Sequence, residues 1–169
     1  MEFLFRQAEA IDLTEIMAII SQAVSRMMEE GKQQWDTAYP TSRHIAEDIG
    51  SGDAYVIVHE RKVVAYGAVV FTGEPAYDSL QGRWLSEGRS YVVVHRMAVA
   101  QSMQGRGLGV KFLKYVEELA KSRRVCSFRI DTNFDNFPML HILEKCGFAY
   151  CGDIWFCGGA RRAYEKLMG

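Results

Sequence analysis

Gly105, Gly107 and Gly109 alternate along the chain between an apolar run ending at Val99 and an amphipathic run marked by Leu108, Phe112, Tyr115, Val116 and Leu119. Glycines at this spacing remove Cβ obstruction from one turn, so successive backbone N–H groups can converge on a single anion. A helix opening directly afterwards adds the positive end of its dipole. Gln104, Gly105, Arg106, Gly107, Leu108 and Gly109 therefore read as a phosphate cradle built from main chain, with Arg106 as a supplementary charge. A dinucleotide fingerprint G-x-G-x-x-G fails, because its last glycine would fall at Val110 or at Phe112. A P-loop fails too, since no G-x-x-x-x-G-K-[ST] can be written here. On spacing alone, a glycine-rich turn that binds nothing is the alternative.

Other residues could handle protons or an amine. His95 lies four residues before Val99 and, by period 2, on the same face as Met97 and Val99. An imidazole near neutrality suits proton transfer; a core histidine bonded to a carbonyl is the competing reading. Trp35, Asp36 and Tyr39 form an aromatic–acid group suited to a cationic amine, or equally a satellite hydrophobic cluster. Cys126, Cys146, Cys151 and Cys157 make no CxxC pair and read as reduced, buried structural thiols, not disulfides or acyl carriers. His44, His59, His95 and His141 never fall at HxxxH spacing, so no metal site is expected.

The elements that must position these residues follow from periodicity. Phe3–Ala8 reads as a strand, and Asp12 with Glu15 as a cap for a helix with Leu13, Ile16, Ile20, Ala23, Val24 and Met27 on one face and stopping at Gly31. A short helix follows Thr41, burying Ile45 and Ile49 and ending at Gly50. Ala54–Val58 and Val63–Phe71 suit a hairpin around Glu60-Arg61-Lys62. Thr72–Gly88 is long for a compact domain, which marks it as functional or as holding a short helix. Strands are expected at 91–99, 127–130, 148–152 and 162–167, and helices at 107–123 and after Pro138, the last closed by Gly147.

With 169 residues, one domain over 1–169 is the default. A 49% hydrophobic fraction and a net charge of -1 exclude a disordered chain. The balance of 20 Lys+Arg against 21 Asp+Glu argues against a nucleic-acid partner held by bulk charge. The longest apolar stretch, Val63–Phe71, is far short of the ~20 residues of a spanning helix, and no secretory leader is read at the N-terminus. The expectation is a cytoplasmic protein without a membrane partner.

The ordered set of motifs resembles the GNAT superfamily of N-acetyltransferases. Gln104, Gly107 and Gly109 match its [Q/R]-x-x-G-x-[G/A] motif, Met97 and Val99 its preceding apolar pair, and Phe5–Ala8 with Asp12 its opening strand and cap. Asn136, with Gly147-Phe148 after it, matches the late helix and strand. The resemblance implies an α/β (mixed α+β) fold: a mostly antiparallel sheet of about seven strands, splayed in the middle, with about four helices. It implies acetyl-coenzyme A as cosubstrate, its pyrophosphate over Gln104–Gly109 and its pantetheine on backbone groups of Met97, Ala98 and Val99 and near Asn136. The implied reaction is direct attack on the thioester by a primary amine of a small molecule or protein, with His95 as base and the Trp35–Tyr39 loop lining the acceptor. Where the family often has an acidic Tyr, Leu143 stands, leaving Tyr150 or water as proton donor. That departure keeps a second reading open, a catalytically weak acetyl-coenzyme A sensor or scaffold. Homodimers occur in the family; the sequence sets no oligomeric state.

Overall fold

A computed structural model of the chain describes residues 2–32, 34–88, 90–156 and 158–169. Eight strands are hydrogen-bonded in one sheet: β1 (Leu4–Gln7), β2 (Ala54–His59), β3 (Lys62–Val70), β4 (Gln81–Gly82), β5 (Val92–Val99), β6 (Ser127–Thr132), β7 (Ala149–Phe156) and β8 (Gly159–Leu167). Their order is β1-β2-β3-β5-β6-β8-β7-β4. The β5–β6 ladder is parallel, at Val92–Phe128 and Val93–Arg129, while β1–β2, β2–β3, β6–β8, β7–β8 and β4–β7 are antiparallel. Four α-helices complete the set: α1 (Leu13–Glu29), α2 (Ser42–Gly50), α3 (Leu108–Ser122) and α4 (Phe137–Lys145). The mixed, mostly antiparallel architecture is the expected one. The strand beyond the expected seven is β4, two residues long and without periodicity of its own.

The chain forms two compact units, Met1–Val69 with His95–Tyr115 and Val70–Val94 with Val116–Gly169. In the first, α1 buries Ile16, Ile19, Ile20, Ala23 and Val24, a 3.6-period stripe that removes apolar surface from water. Phe5 of β1 stacks on Tyr55 and Tyr115 and meets the edge of Phe112, with centroids 5.1–5.5 Å apart. Asp12 is not the side-chain cap of α1. Its carboxylate accepts the Glu9 N–H at 2.7 Å and two Arg6 nitrogens at 2.8 and 3.1 Å, because a guanidinium fork outcompetes a helix amide. The Glu15 side chain, in the first turn of α1, accepts the Val63 N–H at 2.8 Å.

In the second unit, Phe128 packs edge-on to Phe148 at 5.0 Å, and Leu143 of α4 is fully buried. The long segment after β3 carries a 3₁₀ turn, Pro75–Ser79, and β4. Glu165 of β8, 0% exposed, anchors the stretch that follows: it accepts N–H groups from Leu85 and Ser86 at 2.6 and 3.2 Å, hydroxyls from Ser86 and Ser127, and Arg129 Nε at 3.2 Å. Burial opposes its charge, but the hydrogen bonds from Ser127 and Ser86 and the Arg129 charge outweigh burial and hold the carboxyl below its ordinary value. A carboxyl with a lowered pKa stabilises the fold above the usual Glu value of about 4.3 and loses that contribution as pH falls through the lowered one. Glu165→Gln leaves Arg129 buried without its counter-charge, at an expected cost of about 3–5 kcal/mol at pH 7. Denaturant unfolding at pH 7 and pH 3 checks this: the gap between wild type and variant narrows in acid, and an equal gap at both values counts against the account.

Candidate functional site

The turn that opens α3 belongs to the first unit. Gly105 and Gly107 have φ of +77° and +72°, in the left-handed region where a side chain costs about 1–2 kcal/mol, and a Cβ on either would meet nothing within 4 Å. Glycine is thus demanded by backbone conformation, and the space beside it is open. Lys111 is the first residue of α3 whose N–H reaches a loop carbonyl, that of Gly107 at 3.0 Å. The N–H groups of Gly105, Gly107, Leu108, Gly109 and Val110 have no backbone acceptor among the described residues, the ordinary state of a helix start and the one an anion exploits. Gln104 and Arg106 are exposed in the same turn. The Gln104 side-chain amide donates to Val99 O at 3.1 Å, tying the turn to the end of β5. The open cradle fits a diphosphate.

Arg96, inside β5, has φ +56°, a left-handed residue in a strand and hence a bulge. The period-2 argument that put His95 on the face of Met97 and Val99 therefore does not carry across it. His95, Met97 and Val99 are half-buried and Ala98 is buried. The bulge is clamped by a network that periodicity alone did not indicate. Arg96 Nε and Nη2 donate to both oxygens of Asp48 at 2.8 and 2.7 Å, and Nη1 donates to the Tyr39 hydroxyl at 2.9 Å. The Tyr66 hydroxyl, on a fully buried side chain, donates to Asp48 at 2.5 Å. Burial pulls the Arg96 pKa down, but the bonds to Asp48 and Tyr39 dominate and leave it above the ordinary value. Burial, followed by the Asp48 charge, pushes the Tyr66 phenol far above its ordinary range.

The loop expected to line an acceptor is tied into this network. Trp35 is 5% exposed, Asp36 Oδ1 accepts the N–H groups of Ala38 and Tyr39 at 2.7 and 3.1 Å, and the Tyr39 hydroxyl is held by Arg96. Helix α2 likewise buries Asp48 where the apolar spacing pointed to Ile49, which is half-buried; the paired guanidinium makes the buried carboxylate tolerable.

In the second unit, Asn136 is the N-cap of α4, its side-chain oxygen accepting the Met139 N–H at 3.3 Å. Leu143, at the position of the resembled family's acid, is 0% exposed and offers no proton. Tyr150 donates its hydroxyl to Asp153 at 2.7 Å, and that bond raises its pKa. Among the cysteines, Cys151 is buried, with its thiol pushed up first by that burial, and Cys146 is intermediate. Cys126 is exposed, against the buried thiol expected, because it precedes β6 at the end of a turn. Cys157 lies outside the described residues. Among the described residues, no three His, Cys, Asp or Glu side chains gather to hold a metal, and no helix is long and apolar enough to cross a membrane.

A family profile described as Acetyltransferase (GNAT) family matches residues 20–148, spanning both the clamped bulge and the glycine turn. The chain belongs to the GNAT acetyltransferase family. A GNAT acetyltransferase from Streptococcus agalactiae is 33% identical over 99% of this chain and 96% of its own, with a TM-score of 0.90. The fold recurs in a GNAT acetyltransferase from Listeria monocytogenes (20% identity, 99% and 96% of the two chains, TM-score 0.79). It recurs again in a ribosomal-protein-alanine N-acetyltransferase from Brucella melitensis (20%, 98% and 99%, 0.69). No protein of curated function matches the sequence.

Proposed function

We propose that this GNAT acetyltransferase, acting as one domain over residues 1–169, moves an acetyl group from acetyl-coenzyme A to a primary amine by direct attack in a ternary complex. The observation that carries the reading is the open, glycine-formed turn at the start of α3, with amides uncommitted to backbone acceptors. The cosubstrate supplies the activated acyl group. Residues Gln104–Gly109 would hold its pyrophosphate through main-chain N–H groups and the α3 dipole, with Arg106 adding charge. Backbone groups of Met97, Ala98 and Val99, just past the Arg96 bulge, would hold the arm that carries the thioester. A fixed N–H aimed at developing negative charge is worth a few kcal/mol in a transition state. The second-unit residue named for the arm is Asn136.

His95 acts as base, taking the ammonium proton directly or through water. With Leu143 buried and apolar, protonation of the thiolate falls to solvent or to Tyr150. The expected result for His95→Ala is a kcat lower by about 100-fold at pH 6–7, within the usual span for a general base. The deficit shrinks toward alkaline pH, where the amine is deprotonated without help. A pH–rate profile parallel to wild type removes His95 from proton transfer. Binding of acetyl-coenzyme A by calorimetry, followed by thiol release across an amine panel, tests the reading as a whole. Tight binding without amine-stimulated release supports the sensor alternative, which the buried Leu143 favours.

A further inference from the structure

The second unit carries an open cavity of about 720 Å³ along the segment that follows β3. Small-molecule sites run to ~300–1,000 Å³. Its floor is aromatic: Tyr77 lies 5.3 Å from Trp84 and 6.1 Å from Tyr91, centroid to centroid. Its wall is fixed before any ligand arrives, since Leu85 and Ser86 hang on the buried Glu165 and Trp84 Nε1 donates to Tyr77 O at 3.1 Å.

Arg129 lines the same space. Its guanidinium carbon sits 4.2 Å from the Trp84 centroid and 4.4 Å from that of Tyr91, and its side chain is 6% exposed. Nε donates to Glu165, and Nη2 to the Ser86 carbonyl at 2.9 Å. Nη1 has no partner among the described residues. No fully buried side-chain polar atom lacks a partner there either, so Nη1 is the accessible part of the guanidinium. An accessible guanidinium N–H on the wall is placed to take an acceptor oxygen. At the rim, among the described lining residues, the carboxylates of Glu74, Asp78 and Glu87 stand with the guanidinium of Arg83, while the Arg129 charge is countered by Glu165.

We propose that this cavity binds a small amine that also bears a carboxylate or carbonyl on a flat apolar body, the chemistry of a free aromatic amino acid. The acceptor oxygen takes Arg129 Nη1, the body lies on the rings, and the ammonium faces the acidic rim.

The test is calorimetry on the whole chain with L-phenylalanine, 2-phenylethylamine and 3-phenylpropionate. Phenylalanine is expected to bind at least five-fold more tightly than either truncated probe. The double substitution Asp78→Asn with Glu87→Gln, at two exposed positions, is expected to weaken phenylalanine and phenylethylamine at least five-fold while sparing phenylpropionate and acetyl-coenzyme A. Equal affinity for a truncated probe, no effect of the double substitution, or no binding of any probe by a chain that binds acetyl-coenzyme A overturns the cavity assignment. Failure to bind acetyl-coenzyme A overturns the acetyltransferase reading instead, and leaves the cavity result to stand or fall by itself.

Discussion

Gly107→Glu is expected to abolish acetyl-coenzyme A binding, with at least a 100-fold rise in Kd, while the chain stays folded. The fold survives because a Cβ at position 107 meets no atom within 4 Å, so the cost is the strain of φ +72° alone. That strain is about 1–2 kcal/mol, a modest part of the ~5–15 kcal/mol of a typical domain. Binding fails for two separable reasons. The new side chain projects into the open space beside the amides, and its charge repels a diphosphate where the α3 dipole would attract it. Gly107→Gln and Gly107→Ala divide these: glutamine has the bulk of glutamate without its charge, and alanine adds a single methyl. The expected order of Kd is wild type, then alanine, then glutamine, with glutamate far behind. Calorimetry reads the series, and circular dichroism confirms that all four are folded. Micromolar affinity in the glutamate variant removes the cradle from the site and the acetyltransferase proposal with it.

That prediction uses a part of the molecule that was legible from residues, and the reason is locality. Alternating glycines, a strand before them and a helix after them are decided within about twenty positions, where steric rules and dipoles operate. The hairpin around Glu60 and Arg61 was legible for the same reason, as were the helix stops at Gly31 and Gly147, whose N–H groups reach back to Met28 and Glu144. What escaped is long-range. Asp48 does not stand out in the pattern because Ile45 and Ile49 supply a sufficient helical stripe, and its partner stands 48 residues away on β5. The one local hint was an acid on the apolar side of a short helix. Arg129 and Glu165, 36 residues apart, were invisible likewise, and with them the cavity whose wall they hold. The bulge at Arg96 also lies beyond pattern reading, since arginine has no preference for a positive φ; the three acceptor atoms on Asp48 and Tyr39 hold it there.

Breaking that clamp is expected to separate stability from activity. Asp48→Asn keeps the shape of the side chain but leaves the guanidinium of Arg96, whose side chain is 14% exposed, without a counter-charge. Removing one partner of a buried pair costs about 3–5 kcal/mol. At about 2–4 °C per kcal/mol for a chain of this size, Tm falls by roughly 6–20 °C. Activity falls as well, because nothing then offsets the strain of a left-handed arginine directly ahead of Met97–Val99. A fall in kcat from Asp48→Asn alone has two explanations, general loosening or loss of the bulge. The triple variant Asp48→Leu, Arg96→Met, Tyr66→Phe distinguishes them. It replaces the buried polar set by apolar groups of similar volume and orphans no hydroxyl on β3, so stability recovers toward wild type. The strand, freed of its clamp, is expected to relax toward regular pleating and to shift the N–H groups of Met97, Ala98 and Val99. With Tm restored, kcat then remains at least ten-fold below wild type, while Kd for acetyl-coenzyme A, set mainly at Gln104–Gly109, moves less. Recovery of kcat together with Tm makes Arg96 and Asp48 purely structural. A kcat still depressed in a stable chain makes them positioning residues for the thioester, acting through backbone they never touch the substrate with.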